Sequence, residues 1–282
     1  DDVISLDQVL ARGRGTQVTQ VTTPDDLYGL IYTSGTTGIP KAAMHTHRTM
    51  LAPLVHSQQQ LRALFKKPSL MQRARMLKTF ARYNRRFRRW SSKPLTLLSP
   101  SAFHALAGYA VAFGALLSGS RIVVMERFHP VRVLELIASE HVNVLSATPT
   151  MYAMMLALPT FDQYDHSSLL YCGMTAAPCP PPLVREVRER FGCPTMVAFG
   201  ATELAGAPLV TQFADSDRMQ TESVGRVLGD AEVRVVDESH HAVPPGQIGE
   251  LACKMESVML GYYNAPEATA EVIDADGWYY TG

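Results

Sequence analysis

The chain has 282 residues, in which 26 lysines and arginines balance 26 aspartates and glutamates. This length suits one large domain or two smaller ones and is enough to bury a substantial core. A formal net charge of zero gives no overall field that favours nucleic acid or a membrane surface, and we expect no nucleic-acid partner. The four cysteines form no C-x-x-C pair and no cluster with histidine at metal-binding spacing, which favours reduced, buried thiols in a cytosolic protein.

The first residues are polar and do not begin with Met, so the sequence reads as a piece of a longer protein without a secretory signal. The most apolar stretch, Ala102 to Leu117, is interrupted by His104 and is too short to span a membrane. This pattern predicts a buried helix and a cytoplasmic location.

Short apolar runs alternate with helical patterns through most of the chain, which predicts βαβ units. The predicted strands are Leu27 to Tyr32, Leu95 to Leu98, Arg121 to Met125, Val142 to Ser146, Leu169 to Cys172 and Thr195 to Phe199. The predicted helices are Thr46 to Gln60, Ala102 to Leu117, Val131 to Glu140, Thr150 to Leu158 and Pro182 to Phe191. The sequence therefore predicts an α/β fold with a largely parallel sheet flanked by helices.

The pattern changes near Glu222. Ala231 to Val236 alternates as a half-exposed strand does, and Ile248 to Cys253 is a second such run, with a turn signal at Pro244 to Gly246 between them. We therefore expect a central α/β part over residues 1–221 and a small β-rich subdomain over residues 222–282.

The segment 61–93 carries basic residues and no acidic residue. Apolar and aromatic residues fall along one face of a predicted helix, at Met76, Phe80, Tyr83, Phe87 and Trp90. This stripe can pack on the core and leave a solvated basic face. It can also lie on an anionic membrane surface as a peripheral anchor, and an acidic protein or nucleic acid is a further alternative.

The sequence YTSGTTGIPK, from Tyr32 to Lys41, has a composition suited to a polyphosphate. Gly35 and Gly38 allow the backbone to approach a ligand closely, and Lys41 adds a cation. The hydroxyl groups come from Thr33, Ser34, Thr36 and Thr37. The spacing differs from that of the Walker loop, and a flexible loop without a ligand is the simpler alternative.

A second motif, FGATE, follows the last strand predicted for the sheet. A planar base can stack on Phe199, Gly200 permits a tight backbone, Thr202 can bond a phosphate oxygen, and Glu203 can hold Mg²⁺. By itself the motif is also consistent with a strand that ends in a turn with a solvated Glu203. Ligands collect at the carboxyl ends of parallel strands, so the two motifs together predict one site.

In combination, these motifs resemble those of the superfamily of adenylate-forming enzymes, which includes acyl-CoA and aryl-CoA synthetases, adenylation domains of peptide synthetases and luciferases. Two further family motifs follow in the right order, Gly249 to Leu251 with Met259 to Tyr263, and Trp278 to Gly282. Within the superfamily the likeness is greatest to fatty acyl-CoA synthetases of the medium-chain type. That likeness rests on Ala147 to Tyr152, Ala176 to Pro180 and Glu222 to Arg226.

The resemblance implies a role for each matching residue. The loop from Thr33 to Lys41 would hold the β- and γ-phosphates of ATP, and His104, after Phe103, would orient the acyl group. Thr202 would contact the α-phosphate and Glu203 the metal. The adenine pocket would be lined by Ala176, Ala177, Pro178 and Phe199, and Gly200 would contact the same nucleotide. The implied substrates are a carboxylate, expected to be a fatty acid, with ATP, Mg²⁺ and coenzyme A.

Complete members of this superfamily continue past Gly282 with a ribose-binding Asp and a C-terminal domain that carries a catalytic lysine. We therefore expect little or no ligase activity from this piece alone. Two alternatives stay open. One is an aryl-CoA ligase or a carrier-protein adenylating domain, and the other is a non-catalytic membrane or partner-binding module in which the basic segment matters most.

Overall fold

The structure is a computed structural model that describes residues 21–33, 40–53, 55, 70–83 and 94–282. The first elements are β1 (Leu27–Thr33), β2 (Lys41–Thr46), helix α1 (47–53) and α2 (Leu70–Arg82). The central elements are β3 (Thr96–Leu98), α3 (Leu106–Leu117), β4 (Arg121–Val123), α4 (Pro130–Ser139), β5 (Val144–Ala147), α5 (Pro149–Leu156), β6 (Tyr171–Met174), α6 (Pro181–Arg190) and β7 (Thr195–Ala201). The last elements are β8 (Gly206–Val210), α7 (Asp217–Glu222), β9 (Arg226–Val227), β10 (Glu232–Val236), β11 (Glu250–Lys254), β12 (Gly261–Tyr262), α8 (Pro266–Val272) and β13 (Tyr279–Tyr280).

The largest sheet has seven strands in the order β4-β3-β5-β6-β7-β8-β9. Its first five strands are parallel, and β8 and β9 continue it antiparallel. Successive parallel strands are joined through helices, as expected for right-handed crossovers. The predicted α/β fold with a largely parallel sheet is therefore confirmed.

The main core lies between this sheet and the helices α4, α5 and α6. Tyr152, Phe161 and Phe191 are fully buried there, and the ring of Phe191 meets those of Phe161 and Tyr152 edge to face at 4.9 and 5.8 Å. Helix α5 begins where the sequence dictates, because the Thr148 side chain accepts the Met151 amide and a proline occupies the first turn. Aromatic burial and helix capping together fix these layers.

The hairpin β1–β2 differs from the prediction of a buried strand in the parallel sheet. Strand β1 pairs antiparallel with β2, and β12 pairs with the other side of β2, which makes a separate three-stranded sheet. The side chains of Leu27 and Tyr32 are 51 and 65% exposed. The apolar run was a wrong signal for burial because this strand lies at the edge of a small sheet, where one face and one edge meet water.

Helix α3 was predicted over Ala102 to Leu117 as a buried helix, and both points need correction. It begins at Leu106, after a turn over the preceding residues, and Leu116 and Leu117 are largely exposed. A Cβ on Gly108 would lie 2.4 Å from the Ala102 carbonyl oxygen, so the helix packs directly on that turn. Within the described part of the chain, only Gly108 and Ala115 of this helix are buried.

A third sheet, β10-β11-β13, is antiparallel and confirms the small β-rich region predicted at the C-terminal end. The predicted turn is present, since Gly246 has a φ of 96° and the Gln247 amide donates to the Pro244 carbonyl. Strands β9 and β12 of the same part of the chain join the other two sheets. The division at residues 221 and 222 stays a prediction.

The described part of the basic segment is helix α2 with the residue that follows it. Its Lys78 and Arg82 are exposed, whereas Tyr83 is buried and the Thr79 hydroxyl donates to the Phe213 carbonyl at 3.3 Å. This agrees with a helix that packs on the protein and leaves a basic face in water. Phe87 and Trp90 lie outside the described residues, as does the side chain of Phe80, and membrane-surface binding stays a prediction. No described helix combines the length and apolar character needed to cross a bilayer.

Candidate active site

The base of the β1–β2 hairpin holds the two described ends of the predicted phosphate loop. Thr33 and Lys41 are register partners, and the Thr33 hydroxyl donates to the Lys41 carbonyl at 3.4 Å. The loop therefore joins two antiparallel strands, whereas a Walker loop leads from a strand into a helix. The intervening residues, which are expected to bind phosphate, lie outside the described part of the chain. These residues are Ser34, Gly35, Thr36, Thr37 and Gly38.

The FGATE motif forms the end of β7 and a 3₁₀ turn over Thr202–Leu204. A Cβ on Gly200 would stand 2.4 Å from the Gly206 carbonyl oxygen, so the close pairing of β7 with β8 is itself a reason for glycine here. Its predicted contact with a nucleotide stays a prediction. The turn ends at Ala205, which has a φ of 50° in the left-handed region. This tight geometry turns the Glu203 side chain inward.

Glu203 is buried, with 8% of its surface exposed, and the alternative of a solvated glutamate is therefore excluded. Its Oε1 accepts a hydrogen bond from the Tyr262 hydroxyl at 2.7 Å. Burial raises the pKa of Tyr262, and the hydrogen bond to Glu203 raises it further. The phenol therefore keeps its proton and remains a donor. Burial and then the nearby Glu203 carboxylate also raise the pKa of Tyr279. Two phenols thus face one carboxylate in a nearly dry environment.

Tyr262 also brings the two predicted motifs together. The Lys41 ammonium lies 5.2 Å from the centroid of the Tyr262 ring, a cation–π distance, while the hydroxyl of the same ring donates to Glu203. Strand β12 pairs Tyr262 with Ala43 on β2, which sets this position. The cation of the first motif and the carboxylate of the second therefore contact the same side chain, one at the face of its ring and the other at its hydroxyl.

The sequence reasoning missed His45, which is fully buried on β2. Its Nε2 lies 2.8 Å from the Thr202 carbonyl and its Nδ1 lies 3.2 Å from the Thr49 hydroxyl. A carbonyl only accepts, so Nε2 carries the proton and donates it to the Thr202 carbonyl. Burial lowers the pKa of His45 and keeps the ring neutral. The spacing of His45 and Thr49, four residues apart at a strand-to-helix junction, was the available signal.

The predicted adenine-pocket residues Ala176, Ala177 and Pro178 follow β6 and are exposed. Strand β6 pairs in parallel with β7, so these residues and Thr202 both follow the carboxyl ends of neighbouring strands. Phe199 is half-buried on β7. These residues therefore lie at the carboxyl ends of parallel strands, where α/β proteins commonly bind ligands.

His104 lies in the turn before α3, exposed, and not within the helix as the sequence suggested. Across residues 94–282 and the described parts of the hairpin, no hydrogen bond or ring contact joins it to Lys41, Thr202 or Glu203. Its proposed role in orienting an acyl group stays a prediction.

The donor set fits a magnesium ion that is shared with a nucleotide. The described residues contain no group of three or more His, Cys, Asp or Glu side chains that converge on a metal site. Mg²⁺ is commonly held by one or two carboxylates together with substrate phosphates and water. Glu203 fits this requirement, since it is buried and no ion pair is formed with it among the described side chains, and its role as a metal ligand stays a prediction.

The largely parallel α/β sheet flanked by helices, with small antiparallel sheets beside it, matches the fold of the adenylate-forming N-terminal domain. Residues 3–263 match the AMP-binding enzyme family, and the chain belongs to that family.

Its relatives include CoA ligases for different acids. The chain is 33% identical over 261 residues to a feruloyl-CoA synthase of an Amycolatopsis species, covering 92% of the chain and 46% of that protein. It is 29% identical over 288 residues to the mitochondrial medium-chain acyl-CoA ligase ACSF2 of Macaca fascicularis, with coverages of 98 and 43%. The solved amide bond synthetase McbA from Marinactinospora thermotolerans superposes with a TM-score of 0.74 at 28% identity, covering 95% of this chain and 48% of that one. The chain spans less than half the length of these relatives.

Proposed function

We propose that the protein containing this chain is an AMP-forming acyl-CoA ligase, with a fatty acid as its carboxylate substrate. The observation that carries the proposal is the contact of both Lys41 and the buried Glu203 with Tyr262, the cation at the face of its ring and the carboxylate at its hydroxyl. Family membership supplies the reaction class, since the named relatives include CoA ligases.

In the first step, a carboxylate oxygen attacks the α-phosphorus of ATP. A P–O bond to the acyl group forms while the bond to pyrophosphate breaks, and pyrophosphate carries away the electron pair. No general base is needed, because a carboxylic acid is ionised near neutral pH. Lys41 would offset charge on the phosphates, and Thr202, in the turn after β7, would bond a phosphate oxygen through its hydroxyl. Mg²⁺ bound at Glu203 would supply further charge neutralisation.

In the second step, the thiol of coenzyme A attacks the acyl carbonyl carbon. The C–S bond forms, the thiol proton is lost to water, the bond between the acyl carbon and the phosphate oxygen breaks, and AMP leaves with the electron pair. The chain contributes here by holding the adenylate in place. Its exposed Ala176 to Pro178 edge, next to Phe199, offers the adenine a surface beside the phosphate-binding motifs.

Carboxylate-dependent exchange of pyrophosphate into ATP tests the first step on the full-length gene product. We expect exchange to peak with fatty acids of medium chain length and to fall by about 100-fold or more in Lys41→Ala. Lys78→Ala, a basic residue exposed on α2, is the matched control and should retain wild-type exchange. Absence of exchange with every acid in the series would refute a ligase function.

An aryl-CoA ligase is the second candidate. The identity to the feruloyl-CoA synthase, 33%, is close to the 29% shared with the medium-chain ligase, so overall similarity does not separate the two acids. Adding cinnamate-type acids to the exchange series decides between them. A peak with aryl acids would leave the ligase proposal standing and would overturn the fatty-acid assignment.

A further inference from the structure

The hydrogen bond between Tyr262 and Glu203 joins two side chains that are 7 and 8% exposed. An ionised carboxylate removed from water is costly unless it is hydrogen-bonded or paired with a cation. No described cationic side chain forms an ion pair with Glu203. The Tyr262 hydroxyl instead donates a short hydrogen bond to the carboxylate, at 2.7 Å. Donation to a charged acceptor is stronger than to a neutral one and orients it more firmly.

The backbone around Tyr262 is itself held by hydrogen bonds to several other segments. Its amide donates to the Thr269 hydroxyl at 2.8 Å, and the amide of Tyr263 donates to the Ala42 carbonyl at 2.8 Å. The Met259 amide donates to the carbonyl of Glu203 at 2.7 Å. The segment around Tyr262 is thus tied both to β2 and to the turn that carries Glu203.

The face of the ring has a second contact, the Lys41 ammonium at 5.2 Å from the centroid. Lys41 opens strand β2, while Glu203 lies in the turn after β7. A single rigid side chain therefore spans the gap between the group expected to meet phosphate and the group expected to meet metal. Neither motif predicts this link, since Tyr262 is distant from both in sequence.

We propose that Tyr262 is a positioning residue whose hydroxyl fixes the Glu203 carboxylate to receive Mg²⁺ and whose ring holds the Lys41 ammonium beside it. This inference rests on the proposed function, because it assigns a means of assembly to the same nucleotide site. Without the Tyr262 hydroxyl, the carboxylate keeps only the nearby Tyr279 phenol, has more accessible rotamers and must be ordered in part by the metal itself. The metal affinity then falls, whereas the ring still supports Lys41.

The experiment separates metal binding from nucleotide binding in the full-length protein. Mn²⁺ is titrated and followed by electron paramagnetic resonance in the presence of a saturating non-hydrolysable ATP analogue. We expect Tyr262→Phe to weaken Mn²⁺ binding about 10-fold, the usual effect of removing a partner of a metal ligand. Affinity for the analogue without metal should be unchanged, because the phenylalanine ring keeps the contact with Lys41.

Tyr280→Phe is the matched control. The Tyr280 hydroxyl also donates to a carboxylate at 2.7 Å, that of Asp274 in the C-terminal sheet region, but it makes no described contact with Glu203 or Lys41. This variant removes the same kind of bond from another place, and Mn²⁺ binding should equal that of the wild type. An equal loss of metal affinity in both phenylalanine variants would overturn the proposal.

A double-mutant cycle with Glu203→Gln completes the test. If the phenol acts through the carboxylate, Tyr262→Phe has no further effect on Mn²⁺ binding once Glu203 has been replaced. Independent, additive losses would refute the positioning role, and so would unchanged or tighter Mn²⁺ binding in Tyr262→Phe alone. Thermal unfolding of each variant accompanies the titrations. Should Tyr262→Phe not fold, Glu203→Asp, which withdraws the carboxylate from the phenol, must show the same loss of Mn²⁺ affinity.

The outcome also distinguishes this inference from the proposed function. A wild-type protein that binds no nucleotide with Mn²⁺ would refute the proposed ligase site. A wild-type protein that binds both, with a Tyr262→Phe variant identical to it, would refute only the positioning role.

Discussion

Tyr152, on helix α5 in the main core, and Tyr262, on strand β12 of the small sheet, are both buried, yet their hydroxyl groups meet different acceptors. Tyr152 lies within hydrogen-bonding distance of the backbone carbonyls of Leu145, at 2.9 Å, and Gly173, at 3.1 Å. Tyr262 donates to the side chain of Glu203. Burial raises the pKa of both phenols, so both are donors. A backbone carbonyl in a sheet is already fixed, whereas a carboxylate can rotate, and only the second bond can control a functional group.

The largest effect expected on stability comes from the core that surrounds Tyr152. Phe191→Ala should lower the free energy of unfolding by about 3–5 kcal/mol, because it empties a fully buried position between the rings of Phe161 and Tyr152. Urea denaturation measures the change. Leu117→Ala, at a side chain that is 51% exposed, should cost far less, and equal losses in the two variants would contradict the described core.

The hydroxyl of Tyr152 provides the direct counterpart of the Tyr262 experiment. Tyr152→Phe should lower the free energy of unfolding by about 1–2 kcal/mol, because the buried carbonyls of Leu145 and Gly173 lose a donor. Pyrophosphate exchange and its dependence on Mg²⁺ should match the wild type. A changed Mg²⁺ requirement in Tyr152→Phe would break the comparison, since it would show that a core phenol affects the site as well.

The smallest effect concerns a partly buried bond of the same kind, between Tyr280 and Asp274. Burial would raise the pKa of Asp274, but hydrogen bonds from the Trp278 amide, the Tyr280 hydroxyl and the Asp276 amide outweigh it and lower that pKa. A lowered folded pKa adds stability above the unfolded value near 3.9 that is lost as the pH falls through the folded pKa.

Asp274→Asn should therefore lower the free energy of unfolding at pH 7 by about 1 kcal/mol, a figure limited by partial exposure to water. The difference from the wild type should shrink as the pH approaches about 3, below the unfolded pKa. Chemical denaturation at a series of pH values measures both. A difference that stays constant with pH would show that the loss comes from altered packing at this position and not from the charge of the Asp274 carboxylate.

The sequence was sufficient for the alternating strands and helices between Arg121 and Ala201, because local signals agree there. His129 and Thr148 cap helices that begin with proline, and the strands between them are short apolar runs. It failed for β1 and α3, where apolar residues lie at an edge or in a partly exposed helix. Hydrophobicity indicates what can be buried, whereas the neighbouring elements decide what is buried.

The same distinction applies to the site. Lys41, Thr202 and Glu203 could be selected from motifs, because phosphate and magnesium require a cation, a hydroxyl and a carboxylate at the end of a strand. The roles of His45 and Tyr262 could not be selected in this way. Each depends on a contact between segments far apart in sequence, His45 with the Thr202 turn and Tyr262 with β2 and Glu203.

The pairing of β12 with β2 has a consequence for the order in which the protein assembles on the ribosome. Lys41 and its hairpin are synthesised first and Glu203 much later, but the strand that carries Tyr262 follows both. The parallel sheet can begin to fold during synthesis, as its strands emerge. The link between cation and carboxylate must wait for the last of these segments, so a nascent chain that has not yet reached Tyr262 has the scaffold of the site without its connection.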